Sequence, residues 1–273
     1  MKRLLYNILY IALAATASAQ EAIDTAQFVA VYDYECRTQD AEGTPVTDRM
    51  QLAVQVGRTV TKSMPLSAYQ RTDEITSADA AIEFQEAMLH MPTVWTGYPE
   101  GQTTVREFIF PHDYEGYEPT PEIVWTLTDD TLTVGGYYCQ TAMATHRGVA
   151  WTVCYTEDIP TSAGPWKLCG LPGLILKAET NDGIHRFTLA SLQRIASPIY
   201  SETNAITSKT TEEKLIKNRI KTFGNRLYPK NPYYYITVNL NRTADVTSTN
   251  EGMIINNVFV NDKTHVYQPL ELK

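Results

Sequence analysis

The chain has 273 residues, 43% of them hydrophobic, with 23 Lys and Arg against 31 Asp and Glu and a formal net charge of −8. An acidic chain without a basic stripe argues against nucleic acid and against electrostatic docking on anionic lipid. The length suits one large β domain, and the four cysteines are too few for a small disulfide scaffold.

The N-terminus has the order of a secretory signal. Lys2 and Arg3 are followed by an apolar stretch, Leu4 to Ala15, and then by the small-x-small run Ala17, Ser18, Ala19. The apolar run is too short to span a bilayer, so residues 1–19 are expected to be a cleaved signal peptide, with 20–273 forming one β-rich domain. A buried N-terminal helix is the competing reading. No Cys follows the cleavage site, so no lipid anchor is expected. Cleavage would take the net charge to about −10. The expected location is the periplasm or the exterior, with no transmembrane segment left after cleavage.

The β pattern begins early. Phe28, Ala30, Tyr32, Tyr34 and Cys36 share one face at period two, and Leu52, Val54 and Val56 do the same within Met50–Val60. Ser77 to His90 has helical spacing, with Ser77 as N-cap and Pro92 as stop. Val105–Phe110 is the next expected strand, and His112–Pro121, rich in Gly, Pro and Tyr, is expected to be a loop.

Ile123, Trp125 and Leu127 then alternate, Asp129-Asp130 is expected to turn the chain, and Leu132 and Val134 resume. Gly135-Gly136 permits a bulge. Tyr137–Thr145 continues, and His146-Arg147-Gly148 turns it, with His146 expected at the surface. Val149, Trp151, Val153 and Tyr155 line one face of the following strand. Leu174–Glu179 and Ile184–Leu192 flank Asn181-Asp182-Gly183, a strong hairpin signal. Thr210–Leu227 carries an apolar stripe of Leu215, Ile216, Ile220 and Phe223 beside Lys214, Lys217, Arg219, Lys221 and Arg226. It suits a helix packed on a sheet, or else a partner- or membrane-docking helix. Tyr233–Leu240, Met253–Val260 and His265–Leu270 are further strand candidates. Short turns without regular helical crossovers point to a mainly β, α+β fold. We expect a twisted antiparallel sheet with two helices, half-barrel curvature being one form open to it.

Cys36, Cys139, Cys154 and Cys169 form no C-x-x-C pair, so no metal or cofactor is expected. In an exported chain disulfides are the default, and four cysteines allow three pairings. Cys154 with Cys169 is favoured because the two flank one compact loop, which leaves Cys36 with Cys139. Within that loop, Leu171-Pro172-Gly173-Leu174 fits a type II turn with Gly173 at positive φ, and Gly164-Pro165 is a second bend.

Trp125, Gly136-Tyr137-Tyr138-Cys139-Gln140, Ala142, Arg147-Gly148, Tyr155-Thr156, Ile159-Pro160, Gly164-Pro165-Trp166-Lys167 and the hexapeptide Gly170-Leu171-Pro172-Gly173-Leu174-Ile175 together resemble the GLPGLI family of exported Bacteroidetes proteins. The resemblance covers Ile123 to about Leu189. It implies an envelope location in a Gram-negative bacterium and brings no activity with it. Cys154 stands where the family usually has an aromatic and Cys169 where it usually has Phe. The joint departure around one loop supports their pairing.

Catalytic signatures are weak. There is no G-x-S-x-G elbow and no H-E-x-x-H. His112-Asp113 are sequence neighbours whose side chains diverge, and Glu157-Asp158 near Lys167 suits either an acid–base set or a solvated charge cluster. We therefore expect a non-enzymatic docking module for an envelope or outer-membrane protein. The Gly164–Ile175 loop is its candidate binding or structural feature. The alternative is a periplasmic carrier whose aromatics, Tyr32, Tyr34, Trp125, Trp151 and Trp166 among them, enclose an apolar ligand. A hydrolase is the third possibility.

Overall fold

The computed structural model describes residues 22–40, 42–70, 91–109, 112–201, 208–223, 227–228, 246–249, 252–255, 258–261 and 265–272. The expected signal segment, the expected helix Ser77–His90 and the expected strand Tyr233–Leu240 lie outside them.

The chain runs through β1 (Ala22–Ala26), β2 (Phe28–Gln39), β3 (Pro45–Val56), β4 (Thr61–Pro65) and a one-turn helix α1 (Leu66–Tyr69). It continues through β5 (Thr93–Thr96), β6 (Gln102–Ile109), β7 (His112–Pro119), β8 (Thr126–Val134), β9 (Tyr137–His146) and β10 (Val149–Thr156). After a long loop come β11 (Leu174–Thr180), β12 (His185–Gln193), β13 (Ser197–Tyr200), β14 (Ser208–Thr211) and helix α2 (Glu212–Phe223). The short strands β15 (Leu227–Tyr228), β16 (Val246–Thr249), β17 (Gly252–Ile255), β18 (Val258–Asn261) and β19 (His265–Val266) follow.

Twelve strands form one sheet in the order β14-β7-β6-β5-β4-β3-β2-β12-β11-β10-β9-β8. Every neighbouring pair is antiparallel except β14 with β7. The Asn181-Asp182-Gly183 turn joins β11 to β12, with Gly183 at φ 71. The fold is β-rich, as the alternation implies.

The period-two faces sort cleanly. Tyr32, Tyr34 and Cys36 on β2, Leu52 and Val54 on β3, Trp151 and Val153 on β10, and Phe187 on β12 are buried together on the inner face. The outer face carries a ladder of charges. Arg49 reaches Glu35 at 3.0 Å, Arg186 reaches Glu179 at 2.7 Å, and Gln51 donates to Asp33 at 2.8 Å. Such exposed pairs add little stability each, but they keep that face wet.

The sheet is strongly curled without closing into a barrel. Laid flat, β7 and β10 would sit about 38 Å apart, eight inter-strand steps of about 4.8 Å. Yet Arg147, in the β9–β10 turn, forms an ion pair with Glu118 of β7. The inner face therefore wraps around the loop between β10 and β11, the helix α2 and the C-terminal tail.

Several expectations change. His112–Pro119 is a strand, because pairing with β6 and β14 overrides its Gly and Pro content. Gly116 is needed there: a Cβ would press on Glu212 and Leu215 of α2. Asp129-Asp130 does not end a strand. It lies in a bulge where β8 slips against β9 between Leu127 and Thr131. Met253–Val260 is two strands, β17 and β18, paired Ile255 to Val258 across Asn256-Asn257.

Helix α2 buries Leu215 and Ile216 and packs on β6 and β7, the sheet-packed alternative. Its acidic first turn (Glu212, Glu213) and Lys221 in the last suit the helix dipole.

Candidate functional site

The loop Gly164–Ile175 is the segment with the strongest sequence signature, and the structure turns it inward. Trp166, Lys167, Leu168, Leu171, Leu174 and Ile175 are all buried, while Gly170 and Pro172 are exposed and Cys169 is half-buried. Backbone bonds close it on itself. Gly170 N–H donates to Ser162 O at 2.9 Å, Leu174 N–H to Ile159 O at 3.0 Å and Ile175 N–H to Ala163 O at 3.1 Å. Trp166 N–H donates to Ser63 Oγ on β4 at 3.1 Å, which pins the loop to the far half of the sheet. Trp166 adopts φ 56, a left-handed conformation uncommon for a bulky residue. Its ring lies 6.0 Å from Trp151 and edge-on to His146 at 6.0 Å.

The expected type II turn at Leu171–Leu174 is not formed. Gly173 has no positive φ. Glycine is required there for a different reason: a Cβ would collide with the Thr156 carbonyl where the β10 and β11 ends converge. Gly170 holds the left-handed position instead, at φ 96.

Lys167 is the centre of a buried ionic network. Its ammonium lies 2.7 Å from Glu212 Oε1, 2.9 Å from Glu271 Oε2 and 3.1 Å from Glu118 Oε1. Arg219 continues the network to Glu107 at 2.7 Å and Glu271 at 3.0 Å, and Arg147 pairs with Glu118. Four carboxylates face three cations. The cluster joins β6, β7, the loop, α2 and the tail around Glu271.

Burial and the neighbouring charges split the acids. Burial alone would raise Glu271, but Lys167 and Arg219 pull its carboxyl down to about 2. Burial pushes Glu107 up to about 7 against the pull of Arg219, and burial also raises Glu212. The surplus negative charge is therefore relieved on the Glu107–Glu212 side. Breaking such a network by removing one partner leaves unpaired buried charge, at roughly 3–5 kcal/mol.

His146 is buried, not at the surface. Burial, reinforced by Lys167, lowers its pKa to about 4. Glu157 and Asp158 stay exposed, whereas the Lys167 ammonium pairs with Glu118, Glu212 and Glu271, so the acid–base set is not assembled. The side chains of His112 and Asp113 lie outside the described ones.

All four cysteines are free, which overturns both expected disulfides. Cys36 and Cys139 lie on β2 and β9, with β12, β11 and β10 between them in the sheet. A bridge needs Cα atoms within about 7 Å. Cys154 points to the outer face, into a polar groove of about 410 Å³ shared with Lys177 and Glu179. Cys169 sits on the loop that packs over the inner face, where its carbonyl accepts from Trp125 Nε1 at 2.8 Å. Side chains alternate across a strand, so flanking the loop in sequence places the two thiols on opposite sides of β10.

The exposed counterpart of this site is the end of the sheet at β8 and β9. β8 is the terminal strand, and of its residues only Val134 is buried. Val124 is 85% exposed, Tyr138 62%, Leu127 59% and Met143 39%, with Leu132 at 37%. These side chains fill no core, so they are available to a partner.

Sequence reasoning found Lys167 but not its acids. One signal was present. Glu212, Leu215, Ile216 and Arg219 fall at i, i+3, i+4 and i+7, which puts two charges on the apolar stripe of α2. Glu118 and Glu271 carry no comparable mark.

A family model described as a protein of unknown function (Porph_ging) matches residues 146–177, which span His146, β10 and the loop through Lys167. No curated protein matches the chain. Among solved structures the chain is similar to two of PNGF-II, at 14% identity in both. One alignment covers 84% of this chain and 36% of that one with TM-score 0.51; the other covers 73% and 33% with TM-score 0.48. The chain thus spans about a third of the length of the structures it matches. The first alignment supports a shared sheet architecture.

Proposed function

We propose that this is an exported, non-enzymatic envelope protein of the GLPGLI type that docks another polypeptide, with the β8–β9 end of the sheet as its docking surface. The observation that carries the reading is that the terminal strand pair exposes apolar side chains on both faces, Leu127 and Tyr138 on one and Leu132 and Met143 on the other, with exposed Val124 just before β8. The signal-like residues 1–19 support export, and the family-model match over residues 146–177 brings no activity with it.

A carrier of an apolar ligand has less support. Its aromatic lining would be Tyr32, Tyr34, Trp151, Tyr155 and Trp166, and these are packed as core at 2% exposure or less. The Gly164–Ile175 loop serves the docking module as its internal brace.

The test is site-specific photocrosslinking in the native envelope. A photoreactive residue at Leu127 is expected to give a discrete polypeptide adduct, and one at Gln51, on the outer polar face, none. An apolar small molecule released by organic extraction, with no polypeptide adduct, would instead support the carrier.

A further inference from the structure

Resting on the docking reading, we propose that the β8 edge accepts an extended polypeptide segment carrying apolar and basic residues, added to the sheet as one more strand. The sheet order ends at β8, so among the described residues its outer edge presents unpaired backbone donors and acceptors. An added strand would satisfy them along Thr131–Val134, where the ladder to β9 is regular beyond the bulge.

Charge selects the occupant. Between Arg106 and Arg147 the sequence contains no Lys or Arg, while Glu122, Asp129 and Asp130 are exposed around β8. The β8–β9 hairpin therefore has no cation of its own to offset Asp129 and Asp130. These acids sit in the bulge between Leu127 and Thr131, and Leu127 and the neighbouring Leu132 are both exposed. The ladder positions next to these acids are Thr131–Val134, with Leu132 exposed among them, so an incoming strand sets an apolar residue beside Leu132 and a basic residue toward the acids at the bulge.

The same acids disfavour a second copy. A second copy would bring its own Asp129 and Asp130 to the same edge with no Lys or Arg in its hairpin to offset them, and like charges brought together across strands destabilise a sheet. A bulge and charges are also the usual guard against edge-to-edge aggregation. Here the guard doubles as a filter, rejecting acidic strands and self-pairing while a basic strand neutralises it.

The experiment uses the full mature chain with two synthetic peptides, Lys-Thr-Val-Thr-Lys-Thr-Val and its counterpart with Glu for Lys. Affinity is measured by calorimetry and binding location by amide hydrogen exchange. The Lys peptide is expected to bind about tenfold or more tighter than the Glu peptide, since each cross-strand charge pair changes from repulsive to attractive. It should slow exchange at Thr131–Val134, and the preference should reverse in the Asp129→Lys, Asp130→Lys double variant. Equal binding of both peptides, no binding of either, binding without protection of β8, or self-association that occludes the edge would each overturn the proposal. A polypeptide adduct at Leu127 without β8 protection would retain docking and remove strand addition. Loss of the adduct as well would remove both.

Discussion

The Gly164–Ile175 loop and the β8–β9 edge are made of similar material: glycines, aromatics, aliphatic residues and a few charges. In the loop the charge is buried and the backbone is stitched to itself and to Ser63. At the edge the acids are solvated and the aliphatic side chains stand in water beside them. Apolar composition therefore does not say which segment is core and which is contact surface. What separates the two is whether other segments supply counter-charge. Lys167 meets Glu118, Glu212 and Glu271 from three distant parts of the chain, whereas Asp129 and Asp130 have no Lys or Arg within their own hairpin.

The sharpest way to break this contrast is Lys167→Met. It preserves the aliphatic stem and strands three buried carboxylates, at about 3–5 kcal/mol. For a chain of this size that is a fall in melting temperature of about 6–20 °C. The tail around Glu271 should become protease-sensitive at the same time. A variant within about 2 °C of the parent would deny the loop its bracing role.

Gly173→Ala comes next. The added methyl has to displace the Thr156 carbonyl, an overpacking effect of about 1–3 kcal/mol or more. Gly135→Ala is the control. It has open space but φ 57, so it should lose only the left-handed penalty, about 1 kcal/mol. Equal losses at the two positions would mean that contact is not what demands Gly173.

The pH dependence sharpens the electrostatic half. His146 is depressed to about 4, so the stability it confers is full above about pH 6.5 and is lost as pH falls toward 4. Glu271, at about 2, gives stability that is lost only below about pH 4.5. Glu107, raised to about 7, acts in the other direction, and its contribution disappears as pH rises from about 4.5 through 7. His146→Gln should flatten the acid limb of the melting-temperature profile between pH 6.5 and 4. Glu107→Gln should flatten the decline between pH 4.5 and 7. Each change is at most on the order of 3–4 kcal/mol. Parallel profiles for parent and both variants would contradict these assignments.

The smallest expected effect on stability is at the edge. Leu127→Ser with Tyr138→Ser should move the melting temperature by no more than about 2–4 °C, because exposed positions contribute within about 0.5 kcal/mol each. The same pair should abolish the photocrosslinked adduct when the probe is placed at Thr133, which pairs with Tyr138 on the same face. A large loss of stability would show that this patch is structural after all.

Much of the fold was legible from the chain alone. Period-two faces at Phe28–Cys36 and Val149–Tyr155, the Asn181-Asp182-Gly183 hairpin and the apolar stripe of α2 are local signals, and local signals survive folding because they depend on side-chain alternation and turn chemistry. The family-like loop was legible as rigid for the same reason: Pro165, Pro172 and its glycines restrict the backbone wherever the loop lies.

The direction in which that loop faces, the partners of Lys167, the burial of His146 and the distances among the four cysteines were decided by the curl of the sheet. Curvature brings β7 to the β9–β10 turn and folds the C-terminal tail beneath α2, joining residues more than a hundred positions apart in sequence. No local pattern encodes such a meeting, because the free energy of a buried charge depends on what arrives from elsewhere to meet it.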